Sequence, residues 1–158
     1  MREMLGRMET YRPMIEAKLA EAHLPKELIA IPVVESMYRP NAKGSASAGL
    51  WQLLPETARQ YGLTVDDEKD DRFDPEKETT AAVAYLKSIY DQTKDWSLTL
   101  LSYNAGESRV RKITQETGLK DVFKLADLGH LKNDENTNYV SKIMAAMIVI
   151  DHPQLVSN

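Results

Sequence analysis

The stretch from Pro32 to Ala58, PVVESMYRPNAKGSASAGLWQLLPETA, holds the residues of this chain best suited to chemistry. Glu35 follows Ile31, Val33 and Val34. A carboxyl at the end of an apolar run is expected to be partly desolvated, which disfavours its charged form and raises its pKa. An acid that keeps its proton near neutral pH is what protonation of a leaving oxygen needs, as in glycosidic cleavage. Taken alone, such a glutamate serves equally as a helix cap or ion-pair partner, the usual fate of glutamates. Its surroundings favour the chemical reading. GSASAG, residues 44–49, keeps side chains small and lets backbone approach a bound molecule. Trp51 and Gln52 then add an aromatic and an amide that both donates and accepts, a set suited to a neutral, hydroxyl- and amide-rich ligand such as a sugar polymer. Trp51 by itself reads equally well as core.

Retaining glycosidases use two carboxyl groups about 5–5.5 Å apart. No second acid lies close to Glu35 in sequence, and folding would have to bring up Glu56 or Glu107 to supply one. N-acetylated sugars offer another solution, because their own acetamido oxygen can stabilise the anomeric centre. The residues alone therefore predict acid-assisted sugar cleavage and leave the second group open.

The elements that must position these residues read as helices. Met4, Met8, Tyr11, Ile15, Leu19 and Ala22 form one face of a first helix. A second begins at Pro25 and runs through Pro32, which is expected to bend it just before Glu35. PETARQYG is a short helix from Pro55 that stops near Gly62. Asp74-Pro75 caps and opens a longer one, with Thr79, Ala82, Val83, Leu86, Ile89 and Tyr90 as its buried face. DWSLTLLSYNAG ends at Asn104 to Gly106, ESRVRKITQETG closes at Gly118, and a final helix packs Tyr139, Val140, Ile143, Met144, Met147 and Ile148. No strand, repeat or low-complexity linker is evident. The expected architecture is mostly α: an N-terminal helix, 1–23, on a catalytic domain, 24–158, together one globular unit.

The bulk numbers exclude several classes. A chain of 158 residues with 42% hydrophobic residues is long enough for one sizeable core. Lys+Arg 20 against Asp+Glu 24, a net charge of -4 with scattered cations, argues against nucleic acid as a partner. No apolar run reaches the roughly 20 residues of a membrane-spanning helix. Cysteine is absent, and His23, His130 and His152 lack ligand spacing, so no metal or cofactor is expected. VDDEKDD, residues 65–71, lacks the alternation and central glycine of a calcium loop.

Four segments in order, ESMYRP, AGLWQLLPETA, LLSYNAGESRV and ENTNYVSKI, resemble the motifs of the soluble-type lytic transglycosylases of bacterial cell walls. The connection from Tyr61-Gly62-Leu63 to Arg72 through Pro75 is similar to that of the membrane-bound transglycosylase D branch. The resemblance runs from about Leu24 to Ile150 and implies a goose-type-lysozyme-like fold acting on peptidoglycan glycan strands. On it, Glu35 matches the single catalytic acid/base, and Gln52 a substrate-contacting amide. Tyr103 and Asn104 match the pair lining the site near the cleaved bond, and Glu135 and Tyr139 the late motif facing it. Two positions depart from the pattern. Gly44 stands where the family has a serine, in a loop one residue shorter, so the serine's role passes to Ser45. Asn136 replaces a threonine.

The resemblance implies cleavage between N-acetylmuramic acid and N-acetylglucosamine without water, giving a 1,6-anhydro product. A goose-type lysozyme, with water as acceptor, and a non-catalytic peptidoglycan-binding sensor domain are the competing readings. An envelope or periplasmic workplace follows if the wall is the substrate. MREMLGRMETYRPMIEAKLAEA carries no secretory signal, so export would be provided by a longer chain or a phage particle.

Overall fold

The computed structural model describes residues 2–131 and 134–156, the side chains of Asp134 and Glu135 excepted. Among these residues the chain is helical, with three isolated β-bridges, Lys43 to Ala48, Ala48 to Leu53 and Val65 to Asp70, and no strand. The helices are α1 (Arg2–Glu21), α2 (Ile31–Ser36), α3 (Pro55–Gln60), α4 (Pro75–Thr93), α5 (Trp96–Ala105), α6 (Glu107–Thr117), α7 (Val122–Asp127) and α8 (Asp134–Asp151). Internal contacts divide the chain into two units. The first comprises Met1–Tyr85 with Ile143–Asn158, and the second Leu86–Lys142.

In the first unit α1 buries Met4, Met8, Ile15 and Leu19, the face that its three-and-four spacing predicts. Each such side chain contributes about 1.5–3 kcal/mol when fully removed from water. Helix α1 packs on a 3-10 segment, Lys26–Ala30. The expected bent helix through Pro32 is two elements instead. The 3-10 segment ends and α2 starts afresh, with Pro32 in its first turn, where a missing N–H leaves no hydrogen bond broken. Proline here begins a helix rather than bending one.

Helix α2 stops abruptly. Met37 and Tyr38 both have positive φ, 53° and 57°, in the left-handed region that side chains disfavour. Tertiary bonds hold them there. The Tyr38 hydroxyl donates to the Ile29 carbonyl at 2.7 Å, its ring stacks on Tyr11 with centroids 6.5 Å apart, and Arg7 donates to the Met37 carbonyl through Nε at 3.1 Å and Nη2 at 3.0 Å.

The second unit is built on α5, which packs against α6 and α7. Asp95 caps α5 by accepting from the Leu98 amide at 2.9 Å. Gly106, with φ of 90°, turns the chain from α5 into α6, and Gly118 closes α6. Helix α7, capped by Asp121 bonds from the Phe123 and Lys124 amides, is an element the periodicity reading did not name. On the part of α8 in this unit, Tyr139 and Val140 are buried as expected; from Ile143 on, in the first unit, Ile143 is buried as expected, whereas Met144 and Ile148 are half exposed and Ala146 takes their place inside. The apolar composition of IMAAMIVI hides which of its faces is covered, because nearly every position looks like core.

Replacing Tyr38 with phenylalanine should leave the buried Ile29 carbonyl without its donor and lower stability by about 1–2 kcal/mol, read from the urea unfolding midpoint.

Candidate active site

Glu35 sits at the penultimate position of α2 and is half-buried. Both residues after it are fastened. Ser36 donates its hydroxyl to the carbonyl of Leu50 at 2.8 Å and that of Pro32 at 3.1 Å, and the Met37 carbonyl is gripped by Arg7. The end of α2 is thus tied to the turn Gly49–Leu53, which follows the small-residue loop.

A buried acid shapes that turn. Glu78, fully sealed in the first turns of α4, accepts from the Leu50 amide at 2.6 Å and the Trp51 amide at 3.1 Å. Burial pushes this carboxyl up to about 8, and the amides of Trp51, Leu50 and Leu53, together with Arg72, pull it back only in part. Gly49 has φ of 89°, and a Cβ there would collide with the Arg72 carbonyl and both Glu78 carboxyl oxygens. Only glycine meets both the dihedral and the space.

Arg72 holds the loop from its other side. Its guanidinium pairs with Asp70 through Nε at 2.9 Å and Nη2 at 2.7 Å, while Nη1 donates to the carbonyls of Ala46 at 2.9 Å and Leu53 at 3.0 Å. The side-chain bond from Arg72 holds Asp70 below the usual carboxylate range. Trp51 is fully buried, its indole N–H donating to Thr79 at 2.9 Å, so it presents no face to a sugar; its role is the core one.

The sequence-derived residues of this unit fall on this frame. Gln52, with φ of 53°, turns its amide into its own loop: Nε2 donates to Gly49 at 2.8 Å and Ala42 at 3.3 Å, and Oε1 accepts from Ser47 at 2.8 Å. Ser45 is exposed and lines an open hollow of about 240 Å³ with Lys43, Ala46, Asp70, Arg72 and Phe73. Of the loop hydroxyls, Ser47 is the one that holds Gln52. Glu56 is exposed on α3.

In the second unit Tyr103 and Asn104 lie in the last turn of α5, both half-buried. Asn104 Oδ1 accepts from Asn136 Nδ2, and Asn136 Oδ1 accepts from Arg109 Nη1 at 2.9 Å. Asn136 and Tyr139, on α8, are buried. Arg109 Nη2 is also buried and has no hydrogen-bond partner among the described residues. The side chain of Glu135 lies outside the described residues. Glu107, at the start of α6, accepts from Gln92 at 3.0 Å.

Glu78 and Arg72 escaped the sequence reading as supports of the site. A signal existed for the first: Glu78 is one turn before Ala82 and two before Leu86, on the face assigned to the core. Among the described residues no group of three His, Cys, Asp or Glu side chains could hold a metal ion, and no helix is long and apolar enough to cross a membrane.

The sequence profile of the Transglycosylase SLT domain matches residues 12–125, most of the chain. The chain belongs to that family. Membrane-bound lytic murein transglycosylase D of Escherichia coli strain K12 is 35% identical over 142 residues, 88% of this chain and 31% of that relative. The SLT fold is seen in two solved structures. The 70 kDa soluble lytic transglycosylase of Escherichia coli superposes with a TM-score of 0.77 at 21% identity over 91% of this chain and 24% of the other. An inactive glutamate-to-glutamine mutant of lytic transglycosylase Slt from Pseudomonas aeruginosa gives 0.72 at 20% over 94% and 25%. The expected lysozyme-like, mostly α fold is therefore the one observed. This SLT chain spans about a third of the length of that transglycosylase D relative.

Two outcomes follow for the buried acid and its glycine. Because the Glu78 pKa is raised in the folded state, its stabilising share is complete below about 4.5 and is lost as pH climbs through about 8. Between those limits wild type should lose up to about 5 kcal/mol relative to Glu78→Gln, read as the pH dependence of the two unfolding free energies. Gly49→Ala should destabilise by at least ~2 kcal/mol, read from the urea unfolding midpoint.

Proposed function

We propose that this chain is a peptidoglycan lytic transglycosylase that cleaves the β-1,4 bond between N-acetylmuramic acid and N-acetylglucosamine and leaves a 1,6-anhydro end. The reading is carried by one observation. In a chain of the SLT family, Glu35 stands half-buried at a helix end whose next two residues are fixed by Ser36 to Leu50 and Arg7 to Met37. Bonds on the two residues that follow fix the backbone from which the Glu35 side chain projects, and such positioning is where acids and bases gain their rate.

The step balances without a second carboxylate or water. Glu35 gives its proton to the glycosidic oxygen, the bond from that oxygen to C1 of the muramic acid breaks, and the acetamido oxygen of the same sugar supports the positive charge at C1. The glutamate, now ionised, takes the proton from the C6 hydroxyl, and O6 bonds to C1. The acid is regenerated and the ring is closed. Roles for Tyr103, Asn104, Glu135 and Tyr139 in holding the sugar come from the motif match. Gln52 and Ser45 belong to the loop that shapes the approach, Gln52 through bonds within that loop.

The partner in this proposal is the glycan strand of the cell wall, which places the work in the envelope. The relative named membrane-bound lytic murein transglycosylase D supports that location.

Purified sacculi incubated with the protein should release muropeptides lighter by one water than the products of a hydrolase. Glu35→Gln should reduce release at least ~1,000-fold while the protein still sediments with sacculi. Products carrying the added water would make it a lysozyme, and release undiminished by Glu35→Gln would remove Glu35 from the chemistry.

A further inference from the structure

The hydrogen bonds of α5, α6 and α8 within the second unit have a direction. Arg109 can only donate, so the Asn136 atom facing its Nη1 must be the oxygen. That choice turns Asn136 Nδ2 toward Asn104, and the Asn104 atom receiving it must in turn be Oδ1. The remaining end of the Asn104 amide is Nδ2. One cation that never loses its proton thus sets the orientation of two amides in series. The burial of Asn136, at 4% exposed, keeps water from competing for the bonds that fix it.

We propose that Arg109 and Asn136 are positioning residues that lock the half-buried Asn104 amide with its NH₂ group toward the ligand, making position 104 a donor selective for a carbonyl oxygen such as that of an N-acetyl group. The proposal rests on the glycan-cleaving function given above and names the part of the sugar that Asn104 reads. Asn136 stands where the resemblance places a threonine, and the exchange has a physical consequence. A threonine hydroxyl rotates, so it could meet either end of the Asn104 amide. An amide whose oxygen is held by a guanidinium has one orientation only, and passes that restriction on. Gly106 makes the geometry possible: its positive φ turns the chain so that Arg109, in the first turns of α6, follows closely on Asn104 at the end of α5.

The test reverses the direction of the relay. Asn136→Asp keeps the shape and still accepts from Arg109 but cannot donate, so the Asn104 amide turns over and presents its oxygen. In the Glu35→Gln background, where bound glycan is not consumed, calorimetry compares an N-acetylglucosamine oligomer with a de-N-acetylated oligomer of the same length. The unaltered relay should favour the N-acetylated oligomer, and Asn136→Asp should lower that preference ~10-fold, with Asn136→Thr between them. Retention of the preference within about twofold in a folded Asn136→Asp protein overturns the proposal.

A ligand-free measurement separates failure of the relay from failure of the glycan reading, and needs no variant to fold. By NMR of the wild-type protein, the side-chain NH₂ of Asn136 should exchange slowly with water and that of Asn104 quickly. The opposite order overturns the relay whatever the protein binds. Slow Asn136 exchange combined with no preference between oligomers in the Glu35→Gln protein overturns the assignment of a carbonyl as the group read by Asn104, while release of muropeptides by wild type still reports separately on the glycan reading.

Discussion

A carboxyl group with no access to water, Glu78, accepts hydrogen bonds from the backbone of a turn 27 and 28 residues earlier in the chain. An unpaired amide inside a protein is costly, and so is an unpaired carboxyl; here each offsets the other's penalty, the carboxyl's only in part. Much else in the first unit is obliged by that arrangement. Gly49 must lack a side chain because the carboxyl occupies the space. Trp51 is carried into the core, where Thr79, the neighbour of Glu78 on α4, receives its indole. The Leu50 carbonyl is left to face the hydroxyl of Ser36, the residue after Glu35. A chain of short polar contacts therefore runs from a buried acid with no part in the proposed chemistry to the acid that carries it.

The SLT domain manages this without a rigid sheet beneath the site. The loop from Lys43 to Leu53 has only isolated bridges, and side chains do the work of a ladder: Arg72 bonds two carbonyls, Gln52 two carbonyls and a hydroxyl, and Glu78 two amides. In the second unit the same economy appears in a different chemistry, with neutral amides aligned by one guanidinium. Polar groups of fixed geometry substitute for regular structure where the backbone has to remain small and irregular.

Much of this was legible in the residues. The apolar spacing of α1 and α4, the proline starts of α3 and α4, and the glycine after α6 are local features with local causes, and the helices follow them. The position of Glu35 at a helix end was legible for the same reason. What escaped was decided by distant partners. Pro32 can bend a helix or begin one, and the choice depends on a 3-10 turn that periodicity does not distinguish from α. Trp51 has the composition of a sugar site, yet it is buried with its indole on Thr79, 28 residues further along, while the amide of Gln52 is bonded within its own loop to Ser47, Gly49 and Ala42. Glu78 lies in a stretch, PEKE, that reads as the solvated first turn of a helix, and only its register with Ala82 and Leu86 betrays it. Asn136 departs from the family's threonine, and what it bonds there is decided by partners 27 and 32 residues away.

The left-handed pair Met37 and Tyr38 has a bearing on how this protein can change over time. Each holds a backbone conformation that disfavours side chains by roughly 1–2 kcal/mol, so glycine at position 37 offers an easy route to a tougher molecule. The same exchange would loosen the segment whose carbonyl Arg7 holds and slacken the aim of the neighbouring acid. In the proposed chemistry, toughness against heat and speed of cleavage would then pull in opposite directions at this one dihedral angle.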